Sequence, residues 1–299
     1  METPLRCAFS QSIISPVHHA VAMRGYVDLL RPLNCVIAAF AILVGAVVAV
    51  GPNGMGAVAL QVSVAALVGF MFTGAGNALN DYFDRDVDRV NHPGRPIPSG
   101  RVSMTNALAF AIFLFTLAAV LGIFTGLLAF TVVLVNLIAM VTYEARFKRK
   151  GSSGNIMIGW LVASLFIFGG AAAYGESTAA LQRIAWLGLL AFLATLGREI
   201  VKDIEDVAGD VDRRTLPMVI GVDRAGLLAA FAFFAGVILS PFPFTTGRLG
   251  AAYLGIVAVA DGIFIYCSWF SSSKPTQVSR AAKYGMMVAL IAFLAGGVL

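Results

Sequence analysis

Charge is scarce in this chain. Only 12% of its 299 residues are Asp, Glu, Lys or Arg, where soluble domains carry about 25%. So little charge excludes an ordinary water-facing globule. Histidine is nearly absent, with three in all, which argues against a metal site built on imidazoles. Cysteine is equally rare. Cys7, Cys35 and Cys267 lie far apart, so neither a disulfide framework nor a cysteine metal cluster is available, and they read as free thiols. What remains is apolar. Hydrophobic residues make up 59% of the chain, and they come in long runs, the mark of an all-α polytopic membrane protein.

Nine apolar segments stand out, at about 33–50, 59–83, 105–122, 126–143, 156–174, 184–204, 224–241, 250–269 and 281–298. Each approaches the roughly 20 residues that a bilayer core requires. Between them lie "GPNGMG", "HPGRPIPSG", "GSSG", "GES", "PFPFTTG" and "SSSKP", rich in residues that interrupt helices. With the N-terminus inside, all 21 lysines and arginines except Arg183 and Arg248 fall in or beside cytoplasmic segments. That bias supports nine spans with the N-terminus cytoplasmic, and the architecture expected is nine helices around a central cavity opening to the cytoplasm. The formal charge of +5 then reports topology, and no nucleic-acid partner is expected. Glu176 is the sole acid in an outer loop, and Asp261 lies mid-span without a visible partner. Residues 1–22 lack the apolar core and cleavage pattern of a secretory signal. They are expected to form a loosely ordered cytoplasmic tail ahead of a transmembrane domain at 23–299, with Met23 a second candidate start.

Against this bland background, "NALNDYFDRDVDRVNHPGRPIPSG" (77–100) is dense in charge. At about 100° per residue, Asn77, Asn80, Asp81, Asp84 and Asp88 share one narrow helical stripe, and Asp86 points away. The segment "EIVKDIEDVAGD" (199–210) repeats the offsets. Glu199, Asp203, Asp206 and Asp210 share a face if the helix continues past Gly209. Both stripes sit at cytoplasmic ends of even-numbered spans, which reads as an internal duplication of the site. Two facing acidic stripes repel each other in a low-dielectric mouth. Mg2+ suits them, because it takes oxygen ligands, usually one or two carboxylates with substrate phosphates. A solvated helix end is the plain alternative for either stripe alone, and Asp86, Glu205 and Asp212 are left with it.

Basic residues surround the same mouth. "RPIPSGRVS" (95–103) is stiffened by two prolines and offers Arg95 and Arg101 for phosphate oxygens, a task that suits guanidinium. "YEARFKRKGSSGN" (143–155) offers Lys148 as a phosphate ligand, and Tyr143 either lines the pocket or anchors at the interface. Lys202 flanks the second stripe, where an ion pair explains it as well as substrate contact does. Arg31 and Asn34 in "RPLNC" open the first span toward this mouth.

Together these residues resemble the UbiA superfamily of intramembrane prenyltransferases, whose motifs are N-D-x-x-D-x-x-x-D and D-x-x-x-D. The first matches Asn80, Asp81, Asp84 and Asp88, and the second matches Asp206 and Asp210. The resemblance covers about 24–299. It implies nine membrane helices and Mg2+ held by Asn80, Asp84, Asp88, Asp206 and Asp210. It also implies a prenyl diphosphate gripped with help from Arg95, Arg101, Lys148, Lys202 and Arg31, in a pocket to which Asn34, Asn77, Tyr143 and Glu199 contribute. "RPLNC", "NHPGRPIPSGRVS", "REIVKDIEDVAGD" and "RTLP" look most like an archaeal branch. That branch transfers a geranylgeranyl group from its diphosphate to the hydroxyl of geranylgeranylglyceryl phosphate. Asp81 and Asp203 are both candidates to take the hydroxyl proton. Phe70, Phe72 and Phe166 are candidates to line a groove for the isoprenoid chains. An aromatic quinone precursor or a chlorophyll-type alcohol is the alternative acceptor. An ion-coupled transporter is a remote alternative, since its site belongs near the midplane and these acids cluster at one end.

Overall fold

The computed structural model describes residues 16–147, 151–174, 177–207, 214–246 and 249–298. Among them the chain is helical, with no strand. The first helix, α1 (Pro16–Leu30), starts inside the expected tail, and residues 1–15 lie outside the described residues. Then come α2 (Pro32–Asn91), α3 (Met104–Gly122), α4 (Leu127–Thr142), α5 (Gly151–Ala173) and α6 (Thr178–Asp206). A short α7 (Leu216–Ile220) leads to α8 (Val222–Leu239), a one-turn α9 (Phe242–Thr245), α10 (Ala251–Phe270) and α11 (Pro275–Val298). Eight helices among the described residues are long and apolar enough to cross a membrane.

The nine apolar segments of the sequence occupy these eight helices because the first two share α2. A straight helix of 60 residues would run about 90 Å, some three times a bilayer core. The chain avoids this by folding at Gly51, whose φ of 69° and ψ of 171° break the helix. Glycine reaches that conformation without a Cβ penalty, and Pro52 follows as a pre-organised first residue of the second limb. The limbs then pack side by side. Ile42 joins Ala65 and Val68 in one apolar cluster, and Ala46 and Ala49 join Val62 in another. Arg183, one of the two cations outside the positive-inside pattern, donates from Nη1 to the carbonyl of Ala49 at 3.4 Å. It therefore meets a carbonyl that the fold at Gly51 releases from the helix ladder.

Helix α5 packs tightly against α2. A Cβ on Gly45 would lie 2.2 Å from the carbonyl oxygen of Phe166, and one on Gly169 would lie 1.9 Å from that of Ile42. Only glycine permits the two backbones to approach so closely, the usual way that membrane helices gain packing. Phe166 is buried in the core this creates, and Phe72 meets Phe115 edge to face with centroids 5.0 Å apart. Both make packing contacts, and Phe72 is only partly buried. The outward faces carry large apolar side chains such as Leu127, Phe231 and Trp269, as a lipid-facing surface requires. Several interior polar groups are paired. Asn136 donates to Ser164 Oγ at 2.7 Å and accepts from Trp160 Nε1 at 3.0 Å. Asp261, solitary in the sequence, accepts from Ser240 Oγ at 2.6 Å.

Candidate active site

Helix α2 continues without a break from Pro52 to Asn91, so the first acidic stripe does lie on one helical face. Its end is wrapped by the α1–α2 junction on one side and by the loop 92–103 on the other. Asp81 and Asp88 are 2% and 3% exposed, and each is met by arginine. Arg31 donates from Nη2 to Asp81 Oδ1. Arg95 donates from Nη1 to Asp88 Oδ2 at 2.5 Å and lies 3.6 Å from Asp81 Oδ1. Buried carboxylates need such partners, because leaving them unpaired costs several kcal/mol (roughly). Beside any metal, two guanidiniums therefore share in neutralising the stripe.

Local structure explains how both arginines arrive. Arg31 sits between the two helices with φ 51° and ψ 70°, the one non-glycine residue of positive φ among the described residues. That sparsely populated conformation turns the chain and brings its side chain back over α2. Arg95 is held by a compact loop in which its own N–H bonds to His92 and its carbonyl accepts from Ser99 N, both at 3.0 Å. Arg101 borders the same mouth and has protein partners of its own. It donates to the Asp28 carboxylate, to the Gly94 carbonyl at 2.8 Å and from Nε to Ser99 Oγ at 3.1 Å. It thus ties the loop to α1. A cavity of about 390 Å3 opens here, bordered by Asp28, Arg31, Asp81, His92, Arg95 and Arg101.

Other predicted residues separate in the same way. Asn77 donates to the Leu30 carbonyl at 2.9 Å, so its amide caps the end of α1. Asn34 stands exposed on the first turn of α2. Asn80 donates to Glu144 Oε1 at 3.1 Å, and Tyr143 opens the π-helical turn Tyr143–Phe147 that carries Glu144. Asp84 is half-buried on the same stripe.

The second stripe has other neighbours. Asp203 accepts from Asn155 Nδ2 at 2.8 Å, and Glu199 accepts from Arg198 Nη1 at 2.5 Å. Lys202 and Asp206 are exposed at the end of α6. The helix is described to Asp206, and Asp210 and Lys148 lie outside the described residues. Among the described residues no three of His, Cys, Asp and Glu converge as a metal cage. The donors offered by Asn80, Asp84, Asp88 and Asp206 are nonetheless all oxygen, the chemistry that Mg2+ accepts.

The comparison with known proteins decides the family, since residues 38–295 match the UbiA prenyltransferase family. The chain belongs to that family. A digeranylgeranylglyceryl phosphate synthase of Natronomonas pharaonis is 41% identical over 276 residues, covering 92% of this chain and 97% of the relative. A solved structure from work on digeranylgeranylglyceryl phosphate synthase in membranes superposes with TM-score 0.80 and 31% identity, covering 93% of this chain and 99% of the other. A UbiA homologue from Archaeoglobus fulgidus, bound to GPP and Mg2+, shares the fold with TM-score 0.60 and 19% identity, over 89% of this chain and 99% of that one. This chain is accordingly a multi-pass membrane enzyme, a prenyltransferase of the UbiA fold.

Three contributors to this UbiA site were not singled out in the sequence. They are Glu144, Asn155 and Asp28, which partner Asn80, Asp203 and Arg101. Glu144 and Asn155 sit in the "YEARFKRKGSSGN" stretch, and a buried acid or amide at the end of an apolar run was the available signal. Its partner was not, because it lies 64 residues away for Glu144 and 48 for Asn155.

Proposed function

We propose that this chain transfers a geranylgeranyl group from geranylgeranyl diphosphate to the free hydroxyl of geranylgeranylglyceryl phosphate, forming the second ether bond of an archaeal membrane lipid. The observation that carries this reading is the 41% identity to a digeranylgeranylglyceryl phosphate synthase over nearly the whole of both chains. The paired acidic and basic groups at one end of the bundle support it. The domain at 23–299 crosses the membrane nine times, with the N-terminus and the site at the cytoplasmic face, where the basic residues gather.

In this reading Asn80, Asp84 and Asp88 on α2, with Asp206 and Asp210 of the second motif, hold Mg2+. Bound there, the metal supplies positive charge to the diphosphate as it leaves. Arg95 and Arg31 add fixed positive charge beside it, joined by Lys148 and Lys202, and stabilise the departing oxygens more than the bound ester. Asp81 has both arginines on one oxygen and almost no exposure. That is the geometry of an anion that orients guanidiniums, so Asp81 positions them and Asp203 is left as the candidate for the proton. The allylic C–O bond breaks with its electron pair on the diphosphate. The acceptor oxygen bonds to C1, and its proton leaves. Apolar walls keep water from competing for C1.

The test is direct. Purified protein with Mg2+ and labelled geranylgeranyl diphosphate is given geranylgeranylglyceryl phosphate, an aromatic quinone precursor or a chlorophyll-type alcohol in turn. Labelled diether from the first alone is expected. Product from another acceptor and none from the glycerol phosphate would overturn the assignment.

A further inference from the structure

Asn80 carries one oxygen and one nitrogen on the same carbon, and only the oxygen can bind a hard cation. A lone asparagine on a helix end can rotate either atom toward the metal. Here Glu144 removes that freedom. It is 5% exposed and its Oε1 accepts from Asn80 Nδ2 at 3.1 Å. A carboxylate only accepts, so the nitrogen must face Glu144 and Oδ1 is turned to the other side of the amide. Asp84 stands one turn further along the same helix face.

Glu144 is itself held firmly. It lies in the π-helical turn Tyr143–Phe147 that closes α4, a geometry frequent at functional sites. The turn packs against α2 and α5. The carboxylate thus comes from a different part of the chain, 64 residues away, and does not move with the stripe.

We infer that Glu144 is a positioning residue that fixes the Asn80 amide with its oxygen presented to the metal. This rests on the reading of Asn80 as a Mg2+ ligand, and goes beyond it by assigning the residue that sets which atom is offered. Partners of this kind are typically worth about 10–100-fold in metal affinity.

The experiment measures Mg2+ binding to the purified full chain by calorimetry, without substrate. Four proteins are compared: wild type, Asp84→Ala, Glu144→Gln, and the exchanged pair Asn80→Asp with Glu144→Gln. Glutamine at 144 can donate, so it allows the Asn80 amide to turn over. Glu144→Gln is expected to weaken binding about tenfold. The exchanged pair keeps the same hydrogen bond with donor and acceptor reversed and again offers oxygen, so affinity is expected to return to near wild type. Wild-type affinity in Glu144→Gln, with binding lost in Asp84→Ala, overturns the inference and leaves the metal site standing. Unchanged affinity in Asp84→Ala overturns the metal site itself. If Glu144→Gln does not fold, Glu144→Met, which fills a similar volume and cannot hold the amide, is measured in its place. About tenfold weaker Mg2+ binding supports the inference, and wild-type affinity overturns it.

Discussion

Two acidic stripes with the same spacing have ended up in different surroundings. The stripe on α2 is clamped. Asp81 and Asp88 are buried and bound by Arg31 and Arg95, which come from the helix junction and from the loop that follows. The stripe on α6 is looser. Asp203 meets the neutral amide of Asn155, and Lys202 and Asp206 are exposed. Spacing along a helix places side chains on a face, but it does not choose what packs over that face. If both stripes serve one metal cluster, the clamped one supplies a rigid frame and the open one supplies donors at the substrate's entry.

The strongest way to break this comparison is to remove one donor from each side. Asp84→Ala and Asp206→Ala should each lower prenyl transfer at saturating Mg2+ by at least about a hundredfold, the scale of losing one electrostatic contributor in a preorganised site. Labelled-product assays would read it. A large loss in one variant and none in the other would mean that the stripes do not form a single site.

Stability should separate the stripes next. Asp81→Asn leaves Arg31 without its anion and removes one of the two carboxylates beside Arg95, which keeps Asp88, and breaking a fully buried pair costs about 3–5 kcal/mol. Arg31 and Arg95 are about a third exposed, at 32% and 30%, so about 2 kcal/mol is the expectation here. Asp203→Asn exchanges a charged for a neutral partner of Asn155 and should cost about 1 kcal/mol. Thermal unfolding in detergent would compare the two, and equal losses would contradict the contrast between clamped and loose.

A finer test concerns Arg95. Lysine there keeps the charge but lacks the guanidinium's further planar donors, which remain for phosphate oxygens while Nη1 faces Asp88 and Asp81. Arg95→Lys should raise the KM for the prenyl diphosphate by about tenfold, as expected for about 1.4 kcal/mol of lost contact. The smallest effect belongs to the exposed second stripe. Lys202→Ala should change unfolding stability by less than about 0.5 kcal/mol, and a larger loss would reveal a buried role for this cation.

Much of the molecule was legible in order along the chain. Composition and apolar runs identify a helical membrane protein, and the matched offsets of Asn80, Asp81, Asp84 and Asp88 with Asp203 and Asp206 single out the acids. These are local signals, because helix period and span length depend only on neighbours in sequence. The fold at Gly51 was half legible. "GPNGMG" marks the interruption, and the structure breaks the helix there at Gly51, but that the two limbs fold back and pack together is not a local signal. Asn77 and Arg101 lie at the expected end of the molecule, and the structure adds protein partners that the sequence did not show. Asn77 caps α1 at Leu30, and Arg101 binds Asp28 of the same helix.

The sequence by itself determined the membrane class and the faces on which the acids lie, since both follow from periodicity and residue type, and its two acidic motifs carried the resemblance to the family. Only the tertiary structure decided which charges meet. Arg31 reaches Asp81 across 50 residues, Asn80 reaches Glu144 across 64, and Asn155 reaches Asp203 across 48. Such pairs depend on how helices dock, and docking is set by close contacts such as Gly45 on Phe166 and Gly169 on Ile42, which no local pattern of charge encodes.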